Sequence, residues 1–154
     1  MSIASIAGRI RGESRAAQLY ADDLETLRRL AWEGLYREDD VEQMLQAVRE
    51  DEPLTDVAPE SGPLVSRYCE MRRELRDIRA PELQPQVAAL SEIFDYHAQL
   101  LHHAVALLAV AWRSERLRLQ QQWVGPIGPQ ADRLRGLVEE LDRLAKERGA
   151  ARNN

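Results

Sequence analysis

The 154-residue chain has a single cysteine, Cys69, which excludes an internal disulfide and a multi-cysteine zinc site. One thiol fits a reducing compartment. No apolar run approaches the ~20 residues that cross a bilayer. Gly8, Arg9 and Arg11 interrupt the first residues before a signal-peptide core can form. The expected location is therefore cytoplasmic, without a membrane span. Alternating runs of Val, Ile, Thr and Tyr are missing, so no strand is expected. There is no phosphate-binding glycine loop, no Gly-x-Ser-x-Gly and no zinc-protease helix motif. An enzyme is not expected, and neither is a cofactor.

Basic excess is also missing. The formal net charge is −5, and that field opposes nonspecific association with DNA or RNA. Aromatic residues make up only 5% of the chain, against 44% apolar and 31% charged residues, with Ala, Leu, Arg and Glu dominant. This is the profile of an acidic helical protein. A chain of this length buries about 70% of its unfolded surface, enough for one core and one domain.

The longest pattern runs from about residue 85 to 122, with no glycine or proline after Pro85. Val87, Leu90, Phe94, Leu101, Val105, Leu108, Trp112 and Leu119 recur at three- and four-residue steps, which places them on one helical face. Ile93, Leu100, Ala104, Leu107 and Ala111 form a second stripe beside it. Such a helix would be roughly 57 Å long, against a radius of gyration of about 15 Å for a compact domain of this size. The expected fold is an all-α, elongated bundle of about five helices around this central one, which must otherwise kink or project.

The remaining helices are expected at about 13–36, 40–50, 63–79 and 129–148. The first uses Ala17, Tyr20, Leu24, Leu27 and Ala31; the second uses Val41, Met44, Leu45 and Val48, with Asp39-Asp40 as its cap. Leu64, Tyr68, Met71, Leu75 and Ile78 follow a heptad seam, with Ser61 as cap. Leu134, Leu137, Val138, Leu141, Leu144 and Ala145 make the last stripe, closed by Gly149. Residues 1–12 read as a flexible or docking arm carrying Ile3, Ile6 and Ile10 between arginines, residues 13–149 as the bundle domain, and 150–154 as a disordered tail. Three prolines and a glycine between 52 and 63 predict a long acidic loop. Trp32-Glu33-Gly34 resembles the Trp-x-Gly turn of small type VII secretion substrates. Chain length and helix number differ from that family, so the pattern is read as a packed tryptophan beside a glycine that ends or loosens the first helix.

Three chemistries have candidate residues. All three histidines lie on the long helix, where His97 diverges by about 140° from His102 and 120° from His103. Asp95, Gln99 and His102 share a face, as do Glu92, Gln99 and His103, so a metal or small ligand would use Glu92, Asp95, His102 and His103. The Glu-x-x-His pairs of ferritin-like di-iron sites are missing, so a histidine satisfied by a neighbouring carboxylate or backbone carbonyl is expected over a metal ligand. Arg113, Arg116 and Arg118 between Trp112 and Trp123 are the best nucleic-acid cluster, although cations there also oppose the helix dipole. The leading expectation is a non-enzymatic module that binds another protein or itself, as an adaptor, inhibitor or chaperone-like subunit. Its apolar interface would comprise Val105, Leu108, Trp112, Leu137, Leu141 and Leu144. The metal- or ligand-binding bundle is the alternative, and a nucleic-acid-associated regulator the third.

Overall fold

The protein is an all-α bundle. The computed structural model describes residues 3–50, 54–110, 112–123 and 125–153. In chain order it contains α1 (Ile3–Tyr36), α2 (Glu38–Arg49), α3 (Leu54–Leu75), a single 3-10 turn (Pro81–Leu83), α4 (Gln84–Leu108), α5 (Arg113–Trp123) and α6 (Gly128–Arg152). Among the described residues there is no strand, and no helix is long and apolar enough to cross a membrane.

Helix α4 is the centre of the bundle, in contact with α1, α2, α3, α5 and α6. Its two stripes are both buried: Leu90, Phe94, Leu101 and Leu108 on one, Ile93, Leu100, Ala104 and Leu107 on the other. Leu64, Tyr68, Met71 and Leu75 of α3 are buried, as are Val41, Met44, Leu45 and Val48 of α2. Ile78 is also buried, but it lies beyond the end of α3 at Leu75 rather than inside the expected helix. Helix α6 buries Leu134, Leu137, Val138 and Leu141 against α1 and α4. Each three-and-four spacing thus marks the face turned to a neighbouring helix.

Several boundaries differ from the sequence pattern. The expected helix over 85–122 ends at Leu108, and α5 starts afresh at Arg113, so among the described residues that one long helix is two. No glycine or proline marks that break. Helix α5 is polar, yet it packs on α4, with Leu119 set against the core. Turning the chain gives this weakly apolar segment a partner that a straight extension would lack.

The expected loop over 52–63 is mostly helix, since α3 starts at Leu54 and holds Pro59 and Pro63 inside it. Each proline removes one intrahelical hydrogen bond, and burial of the rest of α3 offsets the loss. Ser61 is consequently not a cap but a buried residue within the helix.

Asp39 and Asp40 also lie inside a helix. The residue at the α2 N-cap is Arg37, with no side-chain capping bond, and three acids fill the first turn. There they complement the helix dipole directly. Helix α1 begins at Ile3 rather than near residue 13, while α6 continues through Gly149 to Arg152. The expected arm and tail are therefore helical over 3–12 and 150–152. The side chains of Ile3, Ile6 and Ile10 lie outside the described residues.

Candidate functional site

The interface residues expected from sequence are mostly occupied within the chain. Leu108, Leu137 and Leu141 are buried, and Val105 and Leu144 are half-buried against the core. These side chains contribute to packing inside the bundle. Trp112, 76% exposed at the break between α4 and α5, is the exception.

The residues expected at a metal are held apart. Glu92 accepts a hydrogen bond from Arg133 at 3.0 Å, and Asp95 pairs with Arg72 of α3. His102 is exposed and His103 half-buried. Among the described residues no three His, Cys, Asp or Glu side chains are grouped to hold a metal ion. In the basic cluster, Arg118 is bonded to Glu115 one turn earlier. Cys69 is exposed, beside the buried seam rather than in it.

The exposed surface has a different centre. Helix α1 runs antiparallel to α6: Arg28 pairs with Asp142 at 2.9 Å, while Gly34 lies against Leu134. Continuing that register, Arg152 reaches about the level of Ala17. The described side chains from Gly8 to Leu19, including Arg9, Arg11, Glu13 and Arg15, are all exposed. The expected core position Ala17 belongs to this exposed stretch, because the packing partner stops there. Farther along, Trp32 and Tyr36 are 41% and 81% exposed. Trp32 is thus a surface residue whose indole N–H donates to Asp142 at 3.3 Å. Burial pushes the Asp142 carboxyl up, but the bonds from Arg28 and Trp32 outweigh it and hold the group below its ordinary range.

A cleft of about 1190 Å³ opens between α2 and α3. Its acidic side chains are Asp39, Asp40, Glu42, Glu50 and Glu70; Arg37 and Arg67 are basic, and Met44, Ala47 and Leu64 supply apolar surface. Both arginines are committed to Glu33 of α1. Arg67 donates to its two carboxylate oxygens at 2.6 Å each, and Arg37 to one at 3.1 Å. Arg67 also reaches Glu70 and Glu74, and Glu74 pairs with Arg29. The network ties the end of α1 to α3.

Bonding from Arg67, opposed by burial and assisted by Arg37, holds the Glu33 carboxyl below its ordinary value of 4.5. A depressed carboxylate stabilises the fold above its unfolded value, and that stabilisation is lost as the pH falls through the folded one. Thermal scans of Glu33→Gln should therefore show a lower midpoint at neutral pH. Its gap from the parent should narrow below about pH 4.5. A gap independent of pH would mean that Glu33 acts through packing alone.

Residues adjoining the cleft also carry a buried polar cluster. Glu38 follows Arg37, and Tyr68 follows Arg67. His97 of α4, wholly buried, places Nδ1 2.7 Å from the Ile93 carbonyl oxygen and Nε2 2.6 Å from Oε1 of Glu38. A carbonyl only accepts, so Nδ1 carries a proton. The second bond then needs one more proton, on Nε2 or on the carboxyl. The His97 ring stacks on Tyr68 with centroids 5.5 Å apart and planes 14° apart, and Phe94 meets Tyr68 edge-on at 5.6 Å. Burial, with the Glu38 charge second, pushes the Tyr68 phenol well above its ordinary value. Among the described residues its oxygen has no hydrogen-bond partner.

The sequence favours a histidine satisfied by a carboxylate or backbone carbonyl over a metal ligand, and His97 has both partners. Its partner Glu38 lies 59 positions away, beyond the reach of any local pattern.

Comparison with protein-family models, with curated proteins and with solved structures finds no match to this chain.

Proposed function

We propose that this chain is a non-enzymatic, cytoplasmic protein–protein interaction module, working as an adaptor, an inhibitor or a chaperone-like subunit. The observation that supports this reading is the N-terminal third of α1. It is helical from Ile3, yet every described side chain between Gly8 and Leu19 faces solvent. A helix segment of this length gains little from its own hydrogen bonds in water. A partner that covers it supplies the packing that the chain does not.

The metal-binding alternative draws no support from the geometry, since its carboxylates are bonded to Arg133 and Arg72. The test is removal of residues 2–16. The shortened chain should keep its helicity per residue and its thermal midpoint. It should also lose self-association, read by light scattering over a concentration series, and lose any native protein that co-purifies with the full chain. Unfolding on truncation, or unchanged binding, would sink the reading.

A further inference from the structure

The exposed segment of α1 and the α2/α3 cleft have opposite charge. Residues 8–16 carry Arg9, Arg11 and Arg15 against Glu13. The cleft carries five carboxylates against two guanidiniums, and both guanidiniums are bonded to Glu33. Between its carboxylates the cleft offers Met44, Ala47 and Leu64 as apolar footing. The two features cannot meet within one molecule. Arg9 and Arg37 lie on, and just beyond, one unbroken helix, 28 residues or about 42 Å apart along its axis.

We infer that the α2/α3 cleft receives the basic N-terminal segment of α1 from a second copy of the chain. The inference rests on the interaction reading above and names its partner. Each copy has one segment and one cleft at opposite ends of α1, so two reciprocal dockings about a twofold axis close a dimer. The dimer is held largely by exposed charges and therefore weakens with added salt.

Charge exchange tests it, with solution mass read by light scattering at low and high salt. One variant reverses the segment (Arg9→Glu, Arg11→Glu, Arg15→Glu) and another the cleft (Asp39→Lys, Asp40→Lys, Glu50→Lys). The full chain should form a salt-sensitive dimer, and each variant alone should be monomeric. Their equimolar mixture should dimerise again, because both pairings are then complementary. A control reversing the exposed acids Glu82, Asp132 and Glu139 should not rescue the segment variant. If circular dichroism shows that the Asp39 and Asp40 changes unfold α2, then Glu50→Lys with Glu70→Lys serves as the cleft variant.

A full chain that stays monomeric overturns the second-copy inference, while a different partner found on residues 2–16 would leave the interaction reading standing. A dimer indifferent to the cleft reversal places the contact elsewhere. A mixture that stays monomeric, or rescue by the control, removes the charge pairing.

Discussion

Replacing His97 with leucine should cost the fold about 3–5 kcal/mol, and adding Glu38→Leu should return most of that loss. The asymmetry follows from the geometry of the pair. The imidazole is wholly buried and the Glu38 side chain is 10% exposed, so neither group is solvated by bulk water. His97→Leu leaves the carboxyl facing an apolar side chain, where it must stay ionised without a partner or bind a proton. Either outcome draws on a total stability of about 5–15 kcal/mol. Removing both partners takes away two bonds together with two desolvation penalties, which is often nearly neutral.

Urea titrations of the parent, the two single variants and the double variant would measure the coupling. A His97→Leu loss below about 1 kcal/mol would show that Glu38 finds solvent easily and that the pair is no anchor. The pair joins the first turn of α2 to the middle of α4, directly after the one-residue bend at Arg37. Its loss should therefore be felt first in α2, as faster amide exchange over Val41–Val48 than over α6.

Much of the packing was legible because each helix carries its own apolar period. The α3 seam, the two α4 stripes and the α6 stripe are local patterns, and their partners need only be another helix. Contacts set by distant chemistry were not legible. Asp39-Asp40 reads equally well as a cap or as a first turn, and what extends the helix to Glu38 includes the tie to His97. Pro59 and Pro63 forecast a loop because local backbone cost was weighed without the burial of the residues that follow them. The break after Leu108 has no breaker residue, since it is imposed by where α5 can pack. For the candidate site, sequence supplied the arginines of the N-terminal segment and noted that it could dock. The cleft went unseen, because its lining comes from two helices whose relative placement no spacing encodes.

Gly34→Ala is expected to destabilise the protein by about 1–3 kcal/mol from overpacking, less up to about 1 kcal/mol regained because alanine favours the helix. A Cβ at Gly34 would lie 2.6 Å from Cε1 and 3.1 Å from Cζ of Phe94, with Leu134 at 3.4 Å. The Phe94 ring cannot simply swing aside: it is fully buried and meets Tyr68 edge-on, and Tyr68 in turn stacks on His97. Strain at Gly34 would thus be passed to the buried pair. Gly34 does not end α1, which continues to Tyr36; it lets α1 approach α4, while Trp32 two residues earlier turns outward to Asp142.

Gly136→Ala supplies the matched control. That glycine is also helical and exposed, with nothing within 4 Å of an added Cβ, so alanine there should raise stability by up to about 1 kcal/mol. Denaturant midpoints of the two variants should move in opposite directions. If both rise together, α1 and α4 are not in close contact at Phe94, and the packing of α1 beside the buried pair must be redrawn.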